Sequence, residues 1–318
     1  MPQPTLSDVH VDTALTDFSV AYFQDQSRFA AAQNIFPTVN VPQRSGKYYV
    51  YDKAELNRSD TEKRAPNTEA PVRTYKLSND SYHCEVYSIA VDVSEQIRAN
   101  ADPALDPEED AARVAIQDMR IAMDRKWTQE FFSTGIWATE STATWSSSTG
   151  ARSSVEDLVF GIKTVLEVMG KRPNTLVLGA DSWYSGLWTS TDLIDRLPDN
   201  APRIVTPEFV AGLFGFERVF VLDSVQSTGM EGSSGLAPTF IHEDHALLAY
   251  VDPGAGLRQA TAGKTFLWSG LIGGSEGIRT KRLEMPWKDA MPRVEVDAAF
   301  DYKVVASDLG ILFKNTVS

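Results

Sequence analysis

Apolar and polar positions in the first part of the chain alternate with the short period of β-strands. The tyrosine-rich run KYYVYD at residues 47–52 predicts one strand, and residues 70–77 give a second strand signal. The two runs predict a long hairpin over residues 45–80, and a further strand is predicted over residues 82–93. Between the runs lies a charged tip of evenly mixed sign, formed by Lys53, Glu55, Arg58, Asp60, Glu62, Lys63 and Arg64.

The charged tip of this hairpin has two interpretations. Most runs of mixed charge are solvated loops. Alternating charges also set the register of a contact with a neighbouring subunit. Taken alone, the sequence of the tip favours the solvated loop.

The apolar period then changes to that of a long helix. Asp106 suits the N-cap, Pro107 the first helical position, and Glu109 completes a capping-box pattern. The predicted helix covers residues 107–134, about 40 Å at 1.5 Å per residue, and stops before a glycine. Its apolar stripe, at spacings of three and four, consists of Ala112, Ile116, Met119, Met123, Trp127 and Phe131. Its opposite face is predicted to stay partly exposed and carries Arg113, Asp118, Arg120, Asp124 and Lys126.

The remainder of the chain predicts a mixed helix and strand region. The Ser/Thr-rich residues 140–153 are the predicted domain boundary, and Ser154 with Asp157 gives a second capping-box pattern. Helices and short strands alternate up to residue 222, which is typical of a domain with a central sheet. A Gly/Ser-rich loop is predicted at residues 227–238. Strands dominate after it, including two separate ones at residues 293–299 and 303–306.

The first 44 residues predict an extended arm with at most one short helix, because Pro37 and Pro42 interrupt regular structure. Two alternatives remain for this arm. It is either a disordered tail or a segment that orders against a partner subunit.

Composition narrows the classes of function. The 318 residues carry a net charge of -13, which excludes general attraction to nucleic-acid phosphates. Cys84 is the only cysteine, so no intrachain disulfide forms. No signal-peptide pattern and no apolar run approaching about 20 residues is present. We therefore expect a soluble protein made in the cytoplasm.

The motifs that carry chemistry are nearly absent. His242 and His245 lack the spacing of a zinc helix and predict a polar turn. Residues 262–265, AGKT, imitate the end of a phosphate loop, but the earlier glycine is missing and a strand follows. Cys84 directly follows His83 in a strand signal, which favours a small core residue. The sequence predicts no catalytic, metal or cofactor site.

The same stretches resemble the major capsid protein of tailed bacteriophages, which has the α+β Hong Kong 97-type capsid fold. They follow the order of that family through nearly the whole chain. The matching stretches are SGKYYVYDK (45–53), EKRAPNTEAP (62–71), YHCEVYSIAVDV (82–93), RANADPALDPEEDA (98–111), RPNTLVLG (172–179) and FDYKVVASDLGILF (300–313).

The resemblance implies an architecture. Residues 1–44 would be an N-terminal arm and residues 45–80 the E-loop, a hairpin whose charged tip overlies an adjacent subunit. Residues 81–153 would form the P domain with its spine helix at 107–134. Residues 154–275 would form the A domain, and residues 276–318 would return to the sheet of the P domain.

The resemblance also implies a function without catalysis or cofactors. Copies of the chain would form hexameric and pentameric capsomers of an icosahedral head shell, assembled in the cytoplasm of a bacterial host. The shell would enclose double-stranded DNA without specific binding. A separate scaffolding protein, a portal and an optional decoration protein would be its partners. Some members join subunits through a Lys–Asn bond, but nothing in the sequence brings Lys53 and Asn315 together.

Two other functions stay open at this point. An encapsulin-type nanocompartment shell has the same fold and encloses an enzyme cargo. An α/β enzyme built on residues 154–275 would need convergent polar groups in a cleft.

Overall fold

The computed structural model describes residues 24–51, 59, 61–70, 72, 74, 77–99, 106–142, 144–145, 153–197, 203–229, 238–254, 256, 259–272, 277–285 and 291–317. The α-helices in this part of the chain are α1 (Ala30–Gln33), α2 (Glu95–Ala99), α3 (Pro107–Phe131), α4 (Ser154–Met169), α5 (Thr191–Ile194) and α6 (Pro207–Phe214), and a π-helix covers Ser182–Leu187. None of these described helices is long and apolar enough to cross a bilayer.

The strands belong to two larger sheets and two hairpins. They are β1 (Thr38–Val41), β2 (Ser45–Tyr51), β3 (Leu77–His83), β4 (Glu85–Asp92), β5 (Thr139–Thr142), β6 (Thr175–Gly179), β7 (Arg218–Leu222), β8 (Val225–Ser227), β9 (Pro238–Phe240), β10 (Ala246–Ala249), β11 (Gly263–Trp268), β12 (Ile278–Met285), β13 (Met291–Val304) and β14 (Gly310–Lys314).

The first sheet is organised around β13. Its order is β1-β11-β13-β12, and β4 pairs with β13 as well. The prediction of two strands at 293–299 and 303–306 is wrong, because Phe300 and Tyr302 continue the series of buried side chains through one strand of 14 residues. This length lets β13 pair with β4, β12 and β11 at once.

The second sheet has the order β5-β14-β10-β6-β7 and separates two cores. Val177, Leu247 and Leu312 face the core that contains α3. Leu176 and Leu248 join the core on the α4 side. Buried side chains on both faces explain why β6 and β10 read as continuous apolar runs.

The predicted division at residues 275 and 276 does not follow the sheets. β11 precedes the division but lies in the first sheet, and β14 follows it but lies in the middle of the second. The return of residues 276–318 to the P-domain sheet stays a prediction: β12 and β13 lie in the first sheet, whereas β14 pairs with β5 and β10 in the second. A hydrophobic pattern indicates that a strand exists, whereas its partner depends on contacts that are distant in sequence.

Helix α3 begins at Pro107 with Asp106 as its N-cap, as the sequence predicts, but Glu109 does not complete the predicted capping box. The Asp106 side chain accepts hydrogen bonds from the backbone N–H groups of Glu108 (3.0 Å) and Glu109 (3.3 Å). The carboxylate of Glu109 accepts from Arg113 at 2.6 Å. The helix spans 25 residues and ends at Phe131, three residues before the predicted end at 134.

The buried stripe of α3 is rotated at its N-terminal half. Met119, Met123, Trp127 and Phe131 are buried, but Ile116 is only partly buried. The fully buried positions nearer the start are the alanines Ala111 and Ala115. A stripe predicted from sequence follows the large apolar side chains, such as Ile116. Here the alanines face the core instead, because small side chains let the helix approach the sheet closely.

Helix α4 starts one residue away from the predicted cap. The capping box consists of Ser153 and Glu156, not Ser154 and Asp157. Asp157 is buried and accepts a hydrogen bond from the Trp145 indole at 3.1 Å. Gly170, with φ of 65°, ends the helix.

The described part of the N-terminal arm packs on its own chain. Phe29, Ile35 and Phe36 are at most 2% exposed, and β1 pairs in parallel with β11. Residues 24–41 are therefore neither a disordered tail nor a segment that awaits a partner. Residues 1–23 lie outside the described residues.

Candidate assembly site

The hairpin of β2 and β3 has exposed side chains on both faces. The strands are antiparallel, with Tyr48 opposite Asp80. Tyr49 is 57% exposed, and residues 78–81 are exposed as well. The second strand starts at Leu77 rather than at 70, so the strand signal at residues 70–77 is wrong in position.

The charged tip is only partly described. Lys53, Glu55, Arg58 and Asp60 lie outside the described residues. Glu62, Lys63 and Arg64 are described and exposed, and the Arg64 guanidinium donates a hydrogen bond to the Thr68 carbonyl oxygen. The described part of the tip therefore lies in solvent in the single chain.

The base of the hairpin is anchored by aromatic stacking. The rings of Tyr48 and Tyr82 lie 5.7 Å and 4.7 Å from the ring of Phe266. The Tyr48 hydroxyl donates to Asp80 at 2.7 Å, and burial together with this bond raises the pKa of Tyr48. A side chain at Gly46 would approach the Tyr82 hydroxyl to 2.6 Å, so this glycine makes room for the ring.

Backbone hydrogen bonds fix the direction in which the hairpin leaves the sheet. The Cys84 N–H donates to the Arg44 carbonyl oxygen at 2.9 Å, and Arg44 Nε donates to the Cys84 carbonyl oxygen at 3.2 Å. The His83 N–H donates to Asp301 at 2.9 Å. Cys84 is buried as predicted, and burial raises the pKa of its thiol to about 11. The thiol is therefore a packing group and not a nucleophile.

A buried polar network joins the N-terminal segment to α3. Asp124 is 0% exposed, and its carboxylate accepts from Ser224 Oγ at 2.7 Å and from the N–H groups of Ala30 (3.3 Å) and Ala31 (3.4 Å). His242 Nε2 lies 3.4 Å from the same carboxylate. The network therefore connects four parts of the chain: residues 30–31, α3, Ser224 and His242.

Two sequence predictions fail at this network. Asp124 was expected on the exposed face of α3, and His242 in a polar turn, but both are fully buried. The partners of Asp124 are about 100 residues away, or more for His242, and no local pattern indicates them. In the sequence, the pair His242 and His245 is the one sign of a polar site, but it does not identify Asp124 as the partner of His242.

The AGKT motif at residues 262–265 leads into a strand and not into the helix that a phosphate-binding loop requires. Gly263 begins strand β11, so the strand includes part of the motif as well as the residues after it, and a side chain at Gly263 would approach Phe131 to 2.8 Å. Burial lowers the pKa of Lys264 in the same strand. Across the described residues, no group of three or more His, Cys, Asp or Glu side chains suits a metal ion.

A cavity of about 360 Å³ lies between the N-terminal segment, α3 and the first sheet. Its wall combines apolar side chains, such as Ile35 and Trp127, with polar ones, such as Asn34 and Arg120. Tyr302 also lines it, and its buried hydroxyl has no hydrogen-bond partner among the described residues. Burial raises the pKa of Tyr302.

Comparison with protein-family models and with curated protein sequences gives no match. Solved structures do match. A phage-related protein from Bordetella bronchiseptica aligns with a TM-score of 0.68 at 15% identity, over 92% of this chain and 93% of that chain. The capsid protein of cyanophage P-SCSP1u aligns with a TM-score of 0.61 at 11% identity, over 98% of this chain and 94% of that chain.

The encapsulin of the holo-SrpI complex from Synechococcus elongatus also aligns, with a TM-score of 0.56 at 11% identity, over 97% of this chain and 96% of that chain. These alignments run through nearly the full length of both chains. The chain therefore has the α+β fold of phage capsid proteins, the Hong Kong 97-type capsid fold, as its sequence motifs predict. At such low identity the likeness concerns the fold.

Proposed function

We propose that this chain is the major capsid protein of a tailed phage. Copies of it form hexameric and pentameric capsomers and self-assemble into an icosahedral head shell around double-stranded DNA. The fold supports this proposal because the phage capsid structures to which the chain is similar align over almost all of it.

The observation that carries the proposal is the hairpin of β2 and β3. Its stacked base, with Tyr48 and Tyr82 on Phe266, fixes it to the first sheet. Beyond the base most of its described side chains are exposed, as Tyr49 illustrates at 57%. An isolated two-stranded hairpin is marginally stable in water, so such an arm gains stability when it packs on another surface. The surface of a neighbouring subunit fits this need.

In this proposal residues 45–80 are the E-loop, and the charged tip contacts the adjacent subunit. Residues 1–44 remain the arm, although residues 24–41 belong to the core of their own chain. The P domain consists of residues 81–153, with α3 as its spine helix, together with β11, β12 and β13 of the first sheet. The A domain comprises β6, β7, β10 and β14 of the second sheet with α4 and α6, whereas β5 of that sheet belongs to the P domain.

The charge of the chain suits a container for DNA. A net charge of -13 gives no general attraction for phosphates, so packaged DNA is enclosed and not bound. The proposed role needs no catalysis and no cofactor. A separate scaffolding protein, a portal and an optional decoration protein are the proposed partners, and assembly takes place in the cytoplasm of a bacterial host.

The alternative is an encapsulin-type nanocompartment, which the likeness to the encapsulin from Synechococcus elongatus supports. The genes beside this one separate the two functions. Portal, terminase and tail genes favour the phage head. A neighbouring gene for a peroxidase or a ferritin-like protein favours the nanocompartment.

The direct test is electron microscopy of the purified chain and of a variant with a shortened hairpin. In the variant an Asn-Gly turn joins Tyr51 to Leu77, which preserves the antiparallel pairing of β2 and β3. We expect hollow shells or capsomers from the full chain, and a folded, unassembled subunit from the variant. A compact monomer from the full chain, in every assembly condition and at high concentration, would contradict the proposal.

A further inference from the structure

Helices α4 and α6 present an apolar groove to solvent. The groove has a volume of about 380 Å³ and is lined mainly by apolar side chains. Val159, Leu166 and Leu213 line it and are 53%, 43% and 39% exposed. Two exposed arginines, Arg172 and Arg196, complete its lining.

The groove lies on the outer side of a helix layer whose inner side is already covered. Leu158 and Val165 of α4 are buried against the second sheet, and Val210 and Phe214 of α6 share that core. The exposed valine and leucines are therefore not needed for packing within the domain. Apolar residues gathered in one groove, as opposed to scattered singly, mark an interaction surface.

The charges around the groove indicate what occupies it. The chain has 43 acidic and 30 basic residues, so another copy carries more negative than positive charge. The charged residues that line the groove, Arg172 and Arg196, are both positive. Copies of so acidic a protein repel one another unless positive and negative surfaces meet locally.

We propose that the groove between α4 and α6 is an interface that receives an acidic and apolar surface of a second copy of this chain. The inference rests on the proposed function and specifies one contact of that assembly. The contact is distinct from the hairpin, because it uses the helix layer of the second sheet.

A pair of matched substitutions tests the interface. Val159→Asp removes an exposed apolar side chain from the groove and adds a charge that repels an acidic neighbour. Val114→Asp is the control, because Val114 is also a helical valine and is 50% exposed. We expect Val159→Asp to lower the assembled fraction about tenfold or more, and Val114→Asp to change it little. Both subunits should melt at nearly the same temperature as the wild type.

Equal loss of assembly in the two variants, or normal assembly of Val159→Asp, would overturn the inference. Normal shells from Val159→Asp would leave the proposed function intact. Failure of the wild-type chain to assemble at all would instead count against the proposed function.

Photo-crosslinking identifies the occupant. Cys84 is 0% exposed, so a photoreactive maleimide on the folded Val159→Cys variant labels the new thiol. We expect crosslinked dimers after illumination of assembled material, and mass spectrometry should find peptides of a second copy joined to position 159. Differential isotope labelling of two pools distinguishes these from links within one chain. Links only within one chain, or no links, would overturn the inference.

Discussion

The imidazole of His242 lies 3.4 Å from the carboxylate of Asp124, and both side chains are 0% exposed. The other imidazole nitrogen lies 2.9 Å from the hydroxyl of Thr128, one helical turn beyond Asp124. This pair lies where α3, the N-terminal segment and the loop before β10 meet. It therefore holds together parts of the chain that no single sheet connects.

Replacement of Asp124 by alanine should strongly destabilise the subunit. The change leaves His242, Ser224 and two backbone N–H groups without their acceptor in a buried site. We expect a loss of about 3–5 kcal/mol in the free energy of unfolding. Denaturant unfolding of the unassembled subunit measures it. Asp118→Ala, at an exposed position of the same helix, is the control, and an equal loss in both variants would contradict the role of the network.

Replacing a side chain of the apolar stripe of α3 by alanine should lower the free energy of unfolding most where that side chain is fully buried. Trp127 is 2% exposed and contacts Phe131 and Phe132, with ring distances of 5.1 Å and 5.0 Å. We expect Trp127→Ala to lower the free energy of unfolding by about 3–5 kcal/mol. Ile116→Ala should lower it much less, because Ile116 is only partly buried. Comparable losses in thermal or denaturant unfolding would refute the observed rotation of the stripe.

Removing the hydroxyl of Tyr302 and removing that of Tyr48 should have different effects on the stability of the subunit. Tyr302→Phe deletes a buried hydroxyl that has no partner among the described residues and keeps the ring against Phe300. We expect unchanged or higher stability, by up to about 1 kcal/mol. Tyr48→Phe deletes a hydroxyl that donates to Asp80 and should cost about 1 kcal/mol. Denaturant midpoints measure both effects, and a clear loss for Tyr302→Phe would show that its hydroxyl has a partner.

Acid should weaken the first sheet through Asp297. Burial alone would raise the pKa of this carboxyl, but hydrogen bonds from Lys281, Ser88 and Arg279 outweigh burial and lower the pKa to about 2. A lowered folded-state pKa gives stability that is fully present above the usual pKa of 3.8 and is lost as the pH falls towards 2.

The variant Asp297→Asn isolates this contribution. We expect the variant to be less stable than the wild type at about pH 6. Its stability should approach that of the wild type at about pH 2, because the wild-type carboxyl also takes up a proton there. Unfolding curves across this pH range measure the difference. A difference that is constant with pH would contradict the assignment.

The local signals in the sequence predict many elements but few of their partners. Caps and glycines place the start of α3 at Asp106, the end of α4 at Gly170 and the limits of α6 at Thr206 and Gly215. These signals work because each depends on neighbouring residues and on a backbone conformation that few residue types adopt.

Contacts between segments that are distant in sequence could not be predicted from local patterns. The position of β14 between β5 and β10 and the burial of Asp124 both depend on residues far along the chain. The hairpin was predicted because its strands are close in sequence, but the start of β3 was placed too early. The sequence shows the tyrosines of β2, but no local pattern indicates that Tyr48 stacks on Phe266.

Charge reversal on the hairpin should separate assembly from folding. Arg64 is exposed in the single chain, and Arg58 lies in the same charged tip, outside the described residues. We expect the double variant Arg58→Glu and Arg64→Glu to assemble far less than the wild type, because in the proposed assembly the tip contacts a neighbour and not its own core. Its melting temperature as an unassembled subunit should stay close to that of the wild type. Equal losses of folded subunit and of assembly would refute this account.

The most direct measurement is a cryo-electron microscopy map of the assembled particles. We expect a closed shell in which the β2–β3 hairpin of each subunit lies on an adjacent subunit, with the charged tip at the contact. A shell in which the hairpin folds back on its own subunit, or a preparation that contains only monomers, would contradict the account.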